Sequence, residues 1–438
     1  MIINAMRQIR QLFEAIAEHK VRSRSFGKAL SISVINQVVS SGTNFALGIY
    51  LVRALTPTEF GLYGIGFAIA LLYSGVGNAL LLTQMVVHVP DKANEDKLHY
   101  AARVLVLAAV FSLLTALLAG LVLAMVSAWQ TLPHEYIGLG SAVTVASIAY
   151  LLKDFFVRHA YTARKEKWAL AVNMFVALML ATFLFMQRHF FVGIDSASAL
   201  WIYAASNFAG ALVGLALASL PIFDVRAREL MNDMQEAWVG GKWALGGVSV
   251  TWLQTQAYMY VTALFLGPAG VGYANAARLL ITPATFLMPA LNQVVMPRFA
   301  SLRASNPQKL LQVNRLYTTG LIIFSVSYSL ILLGLIDVIA PVLLGSHYGQ
   351  ITPLAVAWCL FLIFQFSRGS TSIVLQAIKE FKILTLANIA SVVVAIVAAI
   401  VLMEIIGVQG AILGTAAGEL VLSVLLYRVI KNNRYEYC

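Results

Sequence analysis

The chain has 438 residues, of which 60% are hydrophobic and only 11% charged, with a mean hydropathy of +0.82. Soluble domains carry about 25% charged residues, so this chain cannot cover a water-facing surface, and 30 Gly, 11 Pro and 2 Cys exclude collagen-like, disordered and disulfide-scaffold classes. The net charge of +11 lies in short clusters between apolar runs rather than on one domain, which argues against a nucleic-acid partner and for a polytopic membrane protein.

Residues 1–28 place Ile2, Ile3, Met6, Ile9, Leu12, Phe13 and Ile16 at helical spacing, interleaved with Arg7, Arg10, Lys20, Arg22 and Arg24. Charge along its whole length rules out a signal peptide; the segment reads as an interfacial amphipathic helix on the inner leaflet or as a cytoplasmic tail. A membrane helix needs about 20 mostly apolar residues. Twelve segments meet that need: 29–52, 61–87, 101–127, 137–157, 168–187, 198–222, 242–266, 270–296, 316–336, 352–376, 383–404 and 409–429. With the N-terminus inside, the inner segments hold 26 of the 30 Lys and Arg, and the outer loops hold only Arg53 and Arg188. That asymmetry predicts both termini in the cytoplasm. Cys359 and Cys438 are too far apart in the chain to read as a metal site or a staple.

The end of the first span and start of the second read Leu55-Thr56-Pro57-Thr58-Glu59-Phe60-Gly61-Leu62-Tyr63. The junction of spans seven and eight reads Leu266-Gly267-Pro268-Ala269-Gly270-Val271-Gly272-Tyr273. In both, a proline follows a leucine by two positions and precedes a glycine by four. Proline ends one helix and glycine permits close backbone packing as the next begins. The recurrence predicts two six-helix halves, an N-lobe over 29–222 and a C-lobe over 242–430, joined by a charged cytoplasmic linker at 223–241 and followed by a tail at 431–438. Both halves start inside, so the repeat is parallel, with its axis along the membrane normal.

The stretch from Leu51 to Tyr63 resembles the first hairpin of bacterial polysaccharide transporters, the O-antigen and exopolysaccharide flippases of the multidrug/oligosaccharidyl-lipid/polysaccharide superfamily. The stretch Val271-Gly272-Tyr273-Ala274-Asn275-Ala276-Ala277-Arg278-Leu279-Leu280, with Pro283 and then Asn292-Gln293-Val294-Val295-Met296-Pro297, is similar to that family's eighth span. The resemblance implies an all-α, twelve-span, two-lobed fold of the MATE type in the bacterial inner membrane. It also implies an undecaprenyl-pyrophosphate-linked glycan as substrate, moved without catalysis, with other polysaccharide-assembly proteins as partners.

Polar residues within spans are costly and face a cavity or a neighbouring helix. Span one carries Asn36, Ser40, Thr43 and Asn44 on one face; span seven Thr251, Gln254, Thr255, Tyr258 and Thr262; span eight Asn275, Arg278, Thr282 and Thr285; span ten Gln365, Arg368, Ser372 and Gln376; span twelve Thr415, Glu419 and Ser423. For any one hydroxyl or amide the ordinary reading is an interhelical hydrogen bond, but five aligned faces predict a wet lumen. Arg278 and Arg368 either face that lumen or snorkel to an interface. Glu419, read as the only acid near the middle of a span, either pairs with one of these arginines or couples transport to protons or sodium. Two positives against one negative would attract a diphosphate, for which the arginine fork is suited. Asn36, Asn44, Gln254, Tyr258, Asn275 and Gln365 would suit sugar hydroxyls. Trp243 and Trp252 would suit sugar rings, while Trp201, Trp238 and Trp243 also read as interfacial anchors.

Three other functions are weighed on the same residues. A cation-coupled multidrug exporter of the same superfamily is expected to carry an acid in span one, where Asn36 and Asn44 stand. A glycan polymerase or ligase needs catalytic groups near the outer surface, but Glu135, His134, Arg188, His189, Asp195, Asp337 and His347 are scattered there without paired-carboxylate or metal-ligand spacing. A channel would need a filter loop or a charged ring, and neither is found. No cofactor is expected.

Overall fold

The structure, a computed structural model, describes residues 23–89, 94–128, 134–191, 193–305, 307–349, 351–378 and 380–432. The amphipathic segment read before Ser23, the tail after Asn432 and the Trp243 side chain lie outside the described residues.

The described residues are helical, with no strand among them. The main helices are α1 (Ser23–Ala54), α2 (Pro57–Gly77), α3 (Asn94–Ala128), α4 (His134–Thr162), α5 (Glu166–Phe190) and α6 (Ser196–Ala218). A continuous helical stretch, Ala227–Thr285, supplies α7 (227–266) and α8 (268–285), and Leu287–Ser305 prolongs α8. Then come α9 (Pro307–Gly334), a nine-residue helix Ile336–Leu344, α10 (Thr352–Ala377), α11 (Phe381–Ile406) and α12 (Val408–Asn432). Within a bilayer every backbone polar group must be satisfied internally, which is why so apolar a chain is helical almost throughout.

Ten helices are long and apolar enough to cross a membrane among the described residues. Two features separate that number from the twelve segments read in the sequence. One of the ten, Ala244–Pro289, is 46 residues long and folds back on itself. Its break is Gly267, whose φ of 68° is freely open to glycine. Arg278 reaches Tyr258 at 3.0 Å, whereas a straight helix would hold residues twenty apart at about 30 Å. The stretch is therefore an antiparallel hairpin. The other feature is α1, whose amides and hydroxyls keep it less apolar than the ten.

The start of α2 is encoded locally. Thr56 caps it by accepting the Glu59 backbone N–H at 3.3 Å, and Pro57 occupies the first turn, where its missing N–H costs nothing. Glu59 in turn accepts the backbone N–H of Ser196 at 2.8 Å, and Asp195 accepts that of Ser198 at 2.7 Å, so the first turns of α2 and α6 are tied together. Further along, α2 passes through a π-helical turn at Asn78–Leu82 before continuing as Thr83–His88.

In the first half, α4 packs on α2, α3, α5 and α6; in the second, α12 packs on α10, α11 and the α7–α8 hairpin. The halves meet where the two Pro-Gly corners face each other. A Cβ on Gly61 would stand 1.8 Å from the carbonyl oxygen of Pro268, and one on Gly272 would stand 1.9 Å from that of Pro57. The contact is reciprocal: the same shift in numbering carries Pro57 onto Pro268 and Gly61 onto Gly272. From there α2 stays against α7 as far as Gly241, whose backbone lies on Leu80, while α1 meets α8 at Gly48 on Leu279 and at Phe45 on Phe286.

The charged stretch 223–241 is helical from Ala227, where α7 begins, and is fastened to the first half. Arg103 on α3 donates to Asp233 and, at 3.1 Å, to Glu229, and His88 lies 3.6 Å from Glu236.

Candidate functional site

Between the halves lies a cavity of about 310 Å³. α1 contributes Asn44 and Gly48, α2 contributes Tyr63, Gly64 and Phe67, the hairpin contributes Gln256, Asn275 and Arg278, and α10 contributes Phe361 and Gln365. Arg278 points inward rather than to a headgroup. Its Nη1 donates to Gln256 Oε1 at 3.1 Å and to the Tyr258 hydroxyl at 3.0 Å. Its guanidinium lies 5.6 Å from the Tyr258 ring centroid and 5.4 Å from that of Trp358. Tyr258 and Trp358 are both 0% exposed. The Tyr258 hydroxyl donates onward to Asn275 Oδ1 at 2.7 Å, and Trp358 Nε1 donates to the Ala274 carbonyl at 2.9 Å, so each ring is fixed. Arg278 is thus held by neutral dipoles and π faces, with no carboxylate paired to it among the described residues. Such a site leaves the positive charge uncompensated and aimed at the cavity, which suits an anion. Gln365 presents a buried Oε1 without a partner on the same wall.

Arg368 lies elsewhere. It forms a two-pronged pair with Glu419, donating from Nε to Oε2 and from Nη2 to Oε1 at 3.0 Å. Glu419 is 0% exposed and also accepts from Gln254 Nε2 at 3.2 Å. Of the alternatives open for Glu419, the pair with Arg368 is the one formed, and the placement of Arg368 and Gln254 in the lumen is corrected: Arg368 is neutralised inside the second half, and Gln254 serves that pair. The physical reason is that a buried carboxylate without a cation is very costly, so the nearest arginine is drawn to it.

Asn36 is also displaced from the central cavity. It belongs to a second cavity of about 560 Å³ inside the first half, between α1, α4 and α5. There it donates to the Tyr161 hydroxyl at 2.7 Å and accepts from Asn173 Nδ2 at 2.8 Å. Asp154 lines the same space, accepting from Asn78 Nδ2 at 2.9 Å and Arg158 Nε at 3.1 Å. Asp154 therefore adds a second acid inside a helix long and apolar enough to cross a membrane, besides Glu419 near the middle of its own. Lys153, Asp154 and Arg158, counted with an inner loop in the sequence, sit on a helix that runs on to Thr162.

Of the remaining residues, Trp201 and Trp238 face outward as anchors would, and Trp252 donates to the Tyr260 hydroxyl at 3.1 Å. Gln256 and Trp358 were not singled out in the sequence. Gln256 lies off the face traced by Gln254 and Tyr258, and Trp358 stands in an unbroken apolar run.

Two helical halves that meet at a reciprocal contact, with a polar cavity between them, are the architecture of membrane transporters. Residues 50–353 match the family described as "Polysaccharide biosynthesis protein", and the chain belongs to that family. It is 23% identical over 427 residues to an Escherichia coli (strain K12) protein named "Putative O-antigen transporter", covering 94% of this chain and 99% of that one. Among solved structures it superposes on an inward-facing multidrug resistance MATE family transporter of the MOP superfamily with a TM-score of 0.71 at 14% identity, over 92% of this chain and 95% of that one. It superposes on the lipid II flippase MurJ, inward closed, with a TM-score of 0.70 at 16% identity, over 93% and 87%.

Proposed function

We propose that this protein is a flippase of the bacterial inner membrane that carries an undecaprenyl-pyrophosphate-linked oligosaccharide from the cytoplasmic to the outer leaflet by alternating access. The observation that carries the reading is Arg278, a cation held only by neutral groups on the wall of the cavity between the lobes. In a low-dielectric cavity such a charge attracts the diphosphate strongly, and Asn44, Asn275 and Gln365 offer amides to the sugars. The lipid tail stays in the bilayer while the lobes rock about their Pro-Gly contact.

The same charge opposes the drug-exporter reading, because a cationic drug would meet an unpaired arginine. Proton or sodium coupling through Glu419 stays within the proposal: loading a cation there would require Arg368 to let go of it.

The test is transbilayer movement of a fluorescent lipid-diphosphate sugar in proteoliposomes. We expect wild type to move it and Arg278→Ala to move it at least about tenfold more slowly, the loss of one charge-assisted contact of roughly 1.5–3 kcal/mol. Wild-type liposomes that leave the lipid-linked sugar in place but export small cations down an ion gradient would replace this reading with the exporter.

A further inference from the structure

We infer that the cavity inside the first half, between α1, α4 and α5, is a second anion site, in which Lys153 and Arg158 hold a phosphate-class oxyanion. The inference rests on the flippase reading only for which phosphate arrives there; the site itself is argued from its own geometry.

Lys153 is the unusual feature. It is 5% exposed, yet it lines a cavity of about 560 Å³ rather than packed side chains. Its stem runs past Gly210 on α6, where an added Cβ would be in ordinary contact, 3.5 Å from Lys153 Cγ. Its ammonium lies 4.2 Å from the Tyr150 ring centroid. Among the described residues no carboxylate is paired to it: the neighbouring Asp154 turns its Oδ2 to Asn78 and Arg158. A buried ammonium with a ring face against it and no carboxylate within ion-pair distance is costly in an apolar setting, and an anion in the cavity would offset that cost.

The rest of the lining fits the same guest. Arg158 is half-exposed at the cavity's edge, with one nitrogen on Asp154 and the remaining donors of its fork uncommitted in the structure. Two cations and one acid leave the lining net positive. Asn36, Asn173 and Tyr161 are linked in a chain that fixes the wall opposite. Tyr150 stacks on Tyr203, which meets Phe67 edge-on, so an aromatic band runs from the central cavity to this one.

The experiment uses full-length protein and reads thermal unfolding by tryptophan fluorescence at fixed ionic strength. Wild type, Lys153→Met, Lys153→Arg and Arg188→Gln are titrated with inorganic pyrophosphate in detergent. They are then compared in phosphatidylcholine nanodiscs containing either a polyprenyl diphosphate or phosphatidylglycerol. We expect pyrophosphate to raise the wild-type Tm saturably. Lys153→Met should start from an equal or higher Tm, having lost an unpaired buried charge, and should bind at least about tenfold more weakly. Lys153→Arg should keep the response, and Arg188→Gln, an exposed outer-end arginine, should match wild type. The lipid arms identify the source: a Lys153-dependent shift with the diphosphate lipid alone assigns the substrate head group, and one with phosphatidylglycerol assigns a membrane lipid.

The site is overturned if Lys153→Met responds as wild type does, if it melts lower with its response intact, or if wild type responds to none of the three probes. None of these readouts requires transport. Failure to flip lipid-linked sugar with Lys153-dependent binding intact would remove the flippase reading and leave the site; normal flipping with no Lys153 dependence would do the reverse.

Discussion

Glu419 and Arg278 show how differently one charged residue can be accommodated in the same membrane interior. Glu419 is fully buried and satisfied by three N–H donors from Arg368 and Gln254. Arg278 has two neutral acceptors and two rings. Removing one member of a buried ion pair costs about 3–5 kcal/mol, while replacing both by apolar residues is often neutral. Glu419→Gln should therefore lower the Tm clearly, and Glu419→Leu combined with Arg368→Met should recover most of the loss in the same melting experiment. If Glu419 also couples transport to a cation, the recovered double variant will fold but show flipping that no longer responds to a proton or sodium gradient. Arg278→Gln, by contrast, leaves no carboxylate stranded, so its stability should hold within about 1 kcal/mol of wild type while transport falls.

At the scale of single elements, the Pro-Gly corners are the most constrained pieces of chain. An added methyl at Gly61 or Gly272 would overlap a backbone carbonyl, and no side chain can swing away to relieve it. Gly61→Ala should cost about 1–3 kcal/mol through forced separation of the lobes. With Cys359 and Cys438 replaced by Ser and a reporter Asn275→Cys added, a water-soluble maleimide should react faster in the Gly61→Ala background than without it. An unchanged rate would mean that the corners do not gate the cavity.

The corners were also the most legible elements in the sequence, because proline and glycine act through local backbone sterics and need no knowledge of what lies opposite. Span positions were legible for a similar reason, since length and apolarity alone set them. Partner choice was not. Arg368 and Arg278 both stand one turn beyond an amide on a polar face, at Gln365 and near Asn275, and only the approach of α12 to one and of Trp358 to the other distinguishes a neutralised charge from a free one. Lys153 is not legible as a buried residue, because a lysine four residues from a span's apparent end looks like the start of a loop, whereas the helix continues to Thr162.

For the molecule as a whole, the distribution of Lys and Arg predicts both termini in the cytoplasm. A fluorescent protein fused after Cys438 should therefore be bright in cells, and an alkaline phosphatase fused at the same point should be inactive. The reverse pattern would turn the cavity and its proposed direction of transport upside down. The reciprocal corner contact has a further consequence. The shift in numbering that carries Pro57 onto Pro268 also carries Gly64 onto Asn275, and these two residues touch: a Cβ on Gly64 would be 2.2 Å from the Asn275 amide nitrogen. Residues that meet their own counterparts lie on a two-fold axis, and both line the central cavity. Two separate, identical six-helix subunits would have to place either two asparagines there, which would collide, or two glycines, which would bring no polar group. A single chain whose halves can diverge is free to put one amide on the axis and clear space for it from the other side. Fusion thus gives the cavity between the halves an asymmetry that a symmetric dimer could not have, so the proposed substrate would meet two different walls.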